Sequence, residues 1–271
     1  MFIRDPGYVF IQADASQCQA RIVAVLCEDW DLLRAFDEVD IHRRTAALIF
    51  GYTKTLILDP AVRLDFIDNM DKDDPMRFCG KKTRHAGNFE MGGQRFMTEL
   101  NTDAQKFDIK MSISSWKAGE MLRLFHEASP KLRSVFYRDI IDCLDSTRTI
   151  IDPFGGVRVF NGRMDESLYK EGYANIPQRT EAHVIQKAAL AVDEELNGDK
   201  AAMFISENHD SLLMQAPENN WEPYARLLKE KMTIPIDFRT YCSLKRDYTL
   251  TIPIDIEMSD TNYASMMKVK I

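Results

Sequence analysis

The segment from Arg77 to Phe89 carries the most constraining pattern in this sequence. Four side chains recur at intervals of four residues: Arg77, Lys81, His85 and Phe89. On an α-helix, residues i and i+4 lie on one face, so a helix here would present two cations, an imidazole and an aromatic ring in one column. A core-facing stripe would be apolar at these positions. The pattern therefore predicts a helix with a functional face.

Such a column suits a polyphosphate that carries a base. The cations can bind the phosphates, and the rings can stack on the base. A solvated basic face is the alternative interpretation, because runs of charge are usually exposed. Gly80 and Gly87 also lie inside the segment and lower its helix propensity. The segment by itself leaves both interpretations open.

Composition excludes several classes of protein. The chain of 271 residues has no apolar run of transmembrane length, and its N-terminus lacks the pattern of a signal peptide. Its five cysteines show no paired spacing, which argues against a zinc site or a disulfide framework and fits a reducing compartment. The net charge of −7 counts mildly against nucleic-acid binding, although it is compatible with a local basic cleft.

Two carboxylates lie at the ends of predicted strands. Tyr8–Asp14 is rich in β-branched and aromatic residues and ends in Asp14, and a turn that contains Asp210 joins predicted strands at 201–206 and 212–216. As a helix cap and a turn former, respectively, these two aspartates would need no further function. If they face each other across a sheet, they could bind two Mg²⁺ ions for in-line displacement at phosphorus.

The remaining pattern indicates an α+β fold with an antiparallel sheet and helices grouped on one side. Residues 52–75 are interpreted as a helix or loop insertion, and Pro75 marks the start of the basic helix. Other predicted helices cover 20–36, the segment after Asp40, 94–101, 113–127, 130–147, a long segment that begins at Asn175, and 221–231; a hairpin is predicted at 149–160 and a strand at 248–256.

Six stretches, in this order along the chain, resemble the motifs of the family A DNA polymerases, the type of bacterial DNA polymerase I and of several phage replicases. Any one of them is a weak signal, whereas the ordered set covers nearly the whole chain. They are residues 14–21 (motif A), 40–46 (the segment after motif A), 77–89 (motif B, the fingers helix that closes on the nucleotide), 153–158 (a hairpin), 175–180 (the start of a helix that contacts template and primer) and 209–211 (motif C).

The resemblance implies a role for each matching residue. Asp14 and Asp210 would bind two Mg²⁺ ions, or Mn²⁺, with the carbonyl of Ala15 assisting. Lys81 would hold the triphosphate and protonate the leaving pyrophosphate. The other residues implied to bind the nucleotide are Ser16, Gln17, Gln19, His42, Arg77, His85 and Phe89, and those implied to contact DNA are Arg158, Asn175, Gln178 and His209.

The resemblance also implies the domain organisation. An antiparallel-sheet palm would comprise residues 1–41 and 148–271, with a helical fingers subdomain at 42–147 inserted between them and the motif B helix at about 76–91. Thumb and exonuclease domains are expected to be absent, so a separate polypeptide could supply them. The implied partners are primer-template DNA and dNTPs, with no membrane, in the cytoplasm of a bacterium or a phage-infected host cell.

Several residues depart from the family pattern. Gln19 stands where the family usually has a glutamate that helps to exclude ribose, and His85 stands where phenylalanine or tyrosine is usual. Phe89 replaces a tyrosine, Glu90 a glycine, and Ser211 the more dispensable glutamate of motif C. Both metal-binding aspartates are intact, so we expect activity to survive, whereas the sugar selectivity does not follow from the resemblance.

The leading hypothesis is therefore a template-directed DNA polymerase that adds dNTPs to a primer 3′ end in replication or repair. A catalytically degenerate subunit that binds primer-template DNA in a replication complex is the alternative, motivated by the departures above. A two-metal nuclease is a third hypothesis, because carboxylate pairs serve both reactions, but a nuclease would not need a column of cations.

Overall fold

The structure is a computed structural model that describes residues 3–51, 70–71 and 74–271. The predicted insertion at 52–75 lies almost entirely outside the described residues. Contacts divide the chain into two units. One, here called the sheet unit, comprises Met1–Ile22, Ile150–Arg158 and Asn175–Ile271; the other, the helix unit, comprises Val23–Thr149 and Val159–Ala174.

Among the described residues, the strands form one large sheet and two small ones. The strand bounds are β1 Tyr8–Ala15, β2 Thr149–Ile151, β3 Val157–Val159, β4 Met203–Asn208, β5 Ser211–Pro217, β6 Ile236–Asp237, β7 Thr249–Leu250, β8 Ile254–Ser259 and β9 Met267–Val269. In the large sheet the strand order is β4-β5-β1-β8-β9, and every neighbouring pair is antiparallel. The predicted antiparallel sheet is confirmed.

Strand β1 is the centre of the large sheet because its side chains suit burial on both faces. Val9, Phe10, Ile11 and Ala13 are each at most 1% exposed, and β-branched and aromatic residues pack well on a pleated surface. The strand becomes polar at its end, where Asp14 is only partly buried. The apolar part thus fixes the position of the carboxylate.

The helices are more numerous in the helix unit. Helical bounds are α1 Cys18–Leu26, α2 Trp30–Glu38, α3 Ile41–Ala46, α4 Pro75–Asn88, α5 Gly93–Lys106, α6 Ser115–Ala128, α7 Arg138–Thr147, α8 Glu166–Leu196 and α9 Glu222–Met232, with π-helical turns at Ala47–Gly51 and Leu132–Tyr137. No helix among the described residues is long and apolar enough to cross a bilayer.

The prediction of a single helix over 20–36 was wrong. The segment forms α1 and α2, because Glu28 adopts a left-handed conformation with φ of 53°. Asp29 then caps α2, since its carboxylate accepts a hydrogen bond from the backbone N–H of Leu32 at 3.2 Å. An aspartate at this position supplies an acceptor for a helix-terminal N–H that has no intrahelical partner.

The predicted start of the long helix at Asn175 was also wrong. Helix α8 begins at Glu166, where Asp165 accepts hydrogen bonds from the N–H groups of Ser167 and Leu168. Pro177 lies inside the helix, although a proline is more typical of a helix start. Asn175 therefore lies in the interior of the helix.

The prediction of one strand over 248–256 needs a similar correction. Residues 249–250 pair with β6, whereas β8 begins at Ile254 and joins the large sheet. Pro253 lies at the break, because it has no N–H to donate to a ladder. Its carbonyl accepts a hydrogen bond from Ser16 N at 2.9 Å and so fixes the loop that follows β1.

Candidate active site

The large sheet brings Asp14 and Asp210 to the same end. Asp14 pairs with Ser211 across β1 and β5, and the N–H of Ala15 donates to the carbonyl of Asp210 at 2.8 Å. Both aspartates are partly exposed. Two residues far apart in sequence thus present their carboxylates from adjacent backbone positions.

A third carboxylate lies beside this pair. Asp255 pairs with Asp14 across β1 and β8, and directly opposite residues in an antiparallel pair project from the same face of the sheet. Lys268, on β9, forms an ion pair with Asp255 at 2.6 Å. Opposed like charges destabilise a sheet, so Lys268 relieves the repulsion between the two aspartates.

A fourth carboxylate, Glu181, comes from helix α8 and is only 6% exposed. The Gln19 Nε2 atom donates a hydrogen bond to Glu181 Oε2 at 2.6 Å. Burial raises the pKa of Glu181 to about 7, the hydrogen bond from Gln19 opposes this, and the charges of Asp210 and Asp14 raise it further. Sequence reasoning missed Glu181. The available signal was an acidic residue three positions after Gln178, within the predicted long helix.

The donor atoms of this site fit a hard divalent cation. Asp14 and Asp210 offer carboxylate oxygens, which Mg²⁺ prefers, and Mg²⁺ keeps waters and substrate phosphates in the rest of its shell. Among the described residues, no three histidine, cysteine or acidic side chains lie close enough together to coordinate a metal ion by themselves. Two carboxylates with open positions suit an ion that also binds a substrate.

The loop after β1 is built around Gln17 and Arg21. Gln17 has a positive φ of 55°, which turns the chain from the strand into α1. Arg21, only 4% exposed, donates from its side-chain Nε to the carbonyl of Ser16 at 3.2 Å. This contact fixes the loop that carries Ser16 and Gln17 against the start of α1, the helix that carries Gln19; all three are predicted nucleotide-binding residues.

In the helix unit, the predicted basic helix is present as α4, and its two glycines permit close packing. Asp74 caps its start and Pro75 is its first residue. A Cβ at Gly80 would collide with the carbonyl of His42, and a Cβ at Gly87 would collide with the ring of Phe125. The glycines that weaken helix propensity therefore allow α3 and α6 to approach α4.

The column of side chains on α4 lies away from the buried face of the helix. Lys81 and His85 are exposed and Arg77 is partly buried. Phe89 follows the last helical residue, and its ring contacts that of His85 edge-on at 5.3 Å between centroids. The four predicted residues thus line one side of α4.

Arg77 is held in place by Asp40, which the sequence analysis placed at a helix start and in the segment after motif A without giving it a role in the site. Arg77 Nε donates to Asp40 Oδ2 at 2.8 Å, while Asp40 Oδ1 accepts from the N–H groups of His42 and Arg43. Burial by itself would raise the pKa of Asp40, but these hydrogen bonds and the charge of Arg77 lower it. Asp40 is therefore ionised and fixes the guanidinium.

His42 lies next to these cations and stays neutral. Burial, together with the charges of Arg77 and Lys81, lowers its pKa to about 3. A neutral imidazole can accept as well as donate a hydrogen bond. The region around α4 therefore has an excess of positive charge that an anion would relieve.

The residues predicted to contact DNA differ in exposure. Arg158, Gln178 and His209 are exposed, whereas Asn175 is only 3% exposed. His209 also has a positive φ of 25° in the turn between β4 and β5. All four residues lie in the sheet unit. The side chain of Asn175, unlike the other three, is almost fully buried.

A buried ionic cluster holds the hairpin that carries Arg158. Asp152 is fully buried; its Oδ2 lies 3.4 Å from Arg179 Nε and 3.2 Å from His183 Nε2, and its Oδ1 accepts from the N–H of Gly156. Both partners, Arg179 and His183, come from α8. The cluster thus fixes the hairpin on the same helix that carries Gln178 and Glu181.

Comparisons with known proteins identify relatives along almost all of the chain. No protein-family model matches it. The thermostable DNA polymerase I of Thermus filiformis is 25% identical over 265 residues, which are 95% of this chain and 27% of the relative. DNA polymerase I of Deinococcus radiodurans is 27% identical over 241 residues, 85% of this chain and 22% of the relative. The chain spans about a quarter of the length of these curated relatives.

A solved structure shares the fold. It is the POL domain of Pol1 from M. smegmatis in complex with DNA primer-template and dNTP, which matches with a TM-score of 0.68 and 19% identity over 96% of this chain and 41% of that one. The mixed helices and antiparallel sheet therefore form the fold of a polymerase domain. The predicted resemblance to the family A DNA polymerases is confirmed, and this chain is a relative of bacterial DNA polymerase I.

Proposed function

We propose that this chain is the palm and fingers of a template-directed DNA polymerase, which adds dNTPs to a primer 3′ end in replication or repair. One observation carries the proposal: Asp14 and Asp210 meet at one end of the sheet, joined by the hydrogen bond from Ala15 N to the Asp210 carbonyl. The relatives named above are DNA polymerases, and the solved neighbour is bound to primer-template DNA and dNTP.

In this proposal, Asp14 and Asp210 hold two Mg²⁺ ions, or Mn²⁺, with the carbonyl of Ala15. When bound, the ions would stabilise the attacking and leaving oxygens of an in-line displacement at phosphorus. The primer 3′-hydroxyl is the nucleophile, so the chain needs no nucleophilic side chain. The carboxylates position the ions and supply the negative charge that retains them.

The residues along α4 bind the incoming nucleotide. Arg77, oriented by Asp40, and Lys81 neutralise the triphosphate, and Lys81 gives a proton to the leaving pyrophosphate. The rings of His85 and Phe89 lie against the nucleotide, and His42 contributes a neutral imidazole to the phosphate region. Ser16, Gln17 and Gln19 form the nucleotide site on the sheet unit.

DNA is bound by Arg158, Asn175, Gln178 and His209, in the palm segments at 1–41 and 148–271, whereas residues 42–147 act as fingers. Arg158 contributes a phosphate contact, because guanidinium groups pair with phosphate oxygens at favourable geometry.

Primer extension by the purified chain, with Mg²⁺ and all four dNTPs, tests the proposal beside an Asp14→Ala control. We expect extension by the wild type and none by the control, because the control lacks a metal-binding carboxylate. Equal extension by both proteins would contradict the assignment of Asp14. Tight DNA binding that is unaffected by Asp14→Ala, together with no incorporation, would instead favour the degenerate primer-template-binding subunit.

A further inference from the structure

A cavity of about 370 Å³ lies in the helix unit, between α2, α3, α4 and the end of α6. Cavities that hold small ligands usually measure ~300–1,000 Å³, so this one is large enough for a small organic molecule. None of the residues that line it belongs to the proposed metal, nucleotide or DNA sites. The lining residues are Asp29, Asp31, Leu32, Arg44, Thr45, Ala47, Leu48, Arg84, Ala128 and Ser129.

Arg84, on α4, brings a buried cation to this cavity and is only 6% exposed. Its Nε and Nη2 atoms donate to Thr45 Oγ1 at 3.0 and 2.9 Å, and its guanidinium lies 5.3 Å from the centre of the Phe125 ring. Both partners are uncharged, and within the described part of the chain no carboxylate forms an ion pair with Arg84. A buried charge is costly without a counter-charge, so an anion in the cavity would stabilise this guanidinium.

Arg44, on α3, adds a second cation to the cavity wall. It is exposed and has no ion pair with any described residue. Burial, followed by the charge of Arg44, lowers the pKa of Arg84 to about 10, and the charge of Asp29 opposes this shift. Arg84 therefore remains charged at neutral pH, and an oxyanion bound between the two guanidinium groups would relieve their repulsion.

Two aspartates also line the cavity, and both already have partners. Asp29 accepts a hydrogen bond from the N–H of Leu32 at 3.2 Å and so caps α2, and Asp31 forms an ion pair with Arg34. Because Arg34 offsets the charge of Asp31, only Asp29 opposes the two arginines of the wall. The cavity thus keeps a small positive excess, which a singly charged anion would balance and a triphosphate would exceed.

The rest of the wall is apolar or small. Leu32 comes from α2, and Ala47 and Leu48 come from the π-helical turn that follows α3. Ala128 ends α6, and the hydroxyl group of the next residue, Ser129, adds a hydrogen-bond donor. Apolar walls with a few polar groups that fix the orientation of a ligand are typical of small-molecule sites.

We propose that this cavity binds a small organic monoanion, a carboxylate on an apolar body, whose oxygens pair with Arg84 and Arg44. The apolar body packs against Leu32 and Leu48. The site is separate from the column on α4 in its residues, and it favours a single negative charge. The inference is independent of the proposed function, because it takes neither the metal site nor the nucleotide site as given.

Fluorine NMR titration of the full chain with para-fluorobenzoate, and with its neutral analogue para-fluorobenzamide, tests this inference. Arg44→Gln is the main variant, since Arg44 is exposed and its replacement leaves the packed helices unchanged. We expect it to bind para-fluorobenzoate about tenfold more weakly than the wild type, because one charge-assisted hydrogen bond is lost. The matched control is Arg95→Gln, an exposed arginine on α5, which should bind para-fluorobenzoate like the wild type.

The amide probe and a second variant separate charge recognition from apolar contact. Para-fluorobenzamide should bind the wild type about tenfold more weakly than para-fluorobenzoate, and Arg84→Gln should lose benzoate binding at least as much as Arg44→Gln. Should Arg84→Gln not fold, Arg44→Gln still decides. Equal benzoate affinity in the wild type and Arg44→Gln, equal affinity for the two probes, or no benzoate binding by the wild type would each overturn the proposal.

Discussion

The acidic end of the large sheet and the basic side of α4 show the same electrostatics with opposite sign. At the acidic end, burial and the charges of Asp210 and Asp14 raise the pKa of Glu181 to about 7. On α4, burial and the charges of Arg77 and Lys81 lower the pKa of His42 to about 3. In both regions, burial first and neighbours of like charge second shift the pKa of a titratable group in the direction that favours its neutral form.

Each of these two regions carries an excess of charge that a ligand of opposite sign would relieve. The excess of like charge lowers the stability of the free protein. Such a loss of stability is common at functional sites. The two regions differ in how they hold their charge. The sheet fixes Asp14 and Asp210 through strand pairing, whereas α4 relies on the ion pair between Arg77 and Asp40.

The largest effect is expected for Asp210→Asn, which removes half of the proposed metal-binding pair. Nucleotide incorporation should fall by roughly a thousandfold or more, while the melting temperature rises, because one repelling charge is gone. Steady-state kinetics and thermal melts check both effects. Asp193→Asn, at an exposed position on α8, is the control. Unchanged incorporation by Asp210→Asn would show that Asp210 does not bind a catalytic metal.

The opposite pKa shifts predict opposite dependence of stability on pH. Because the pKa of Glu181 is raised in the folded protein, this group stabilises the fold fully at pH values below its ordinary pKa of 4.5. The contribution, about 3 kcal/mol, is lost as the pH rises through about 7. For His42, the folded protein loses stability as the pH falls from the ordinary pKa of 6.5 towards the folded-state pKa of about 3. In this range the unfolded state takes up a proton that the folded state does not.

Denaturant unfolding without metal, at a series of pH values, checks both slopes against matched variants. From about pH 5 to 7.5, the wild type should lose stability relative to Glu181→Gln. From about pH 7 to 4, it should lose stability relative to His42→Asn. Curves that stay parallel to the wild type would mean that these groups titrate normally in the folded protein.

A smaller effect is expected for Arg77→Ala, which removes one cation from the basic region. The KM for dNTPs should rise by roughly 10- to 100-fold, since one charge-assisted phosphate contact is lost. Asp40→Asn should raise it less, because the guanidinium remains but is no longer held. Arg95→Ala, an exposed arginine on α5, should leave the KM unchanged. An equal change in the Arg95 variant would mean that net charge, rather than position, determines nucleotide binding.

The smallest effect is expected for Arg158→Ala on the hairpin. DNA affinity should fall by roughly threefold, and the slope of affinity against salt concentration should decrease by about one. Fluorescence anisotropy at several salt concentrations measures both quantities. A loss of affinity with an unchanged salt slope would indicate that Arg158 acts through the fold of the hairpin rather than through a phosphate.

Local patterns predicted those parts of the site that depend on one element. The strand ending at Asp14, the turn with Asp210 and the column on α4 follow from β-branched residues, turn formers and spacing. Glu181 and Asp40 were missed as site residues because their partners, Gln19 and Arg77, lie 162 and 37 residues away. Pro177 was misleading, because a proline usually marks a helix start, yet here α8 begins at Glu166 and continues through it.

The most direct test of the account is single-nucleotide addition on four primer-templates that differ only in the first unpaired template base. Each is incubated with the chain, Mg²⁺ and one dNTP at a time. We expect rapid addition of the complementary dNTP opposite each template base, and loss of this addition in Asp14→Ala. Addition that ignores the template base, or that persists in Asp14→Ala, would contradict a template-directed polymerase centred on Asp14 and Asp210.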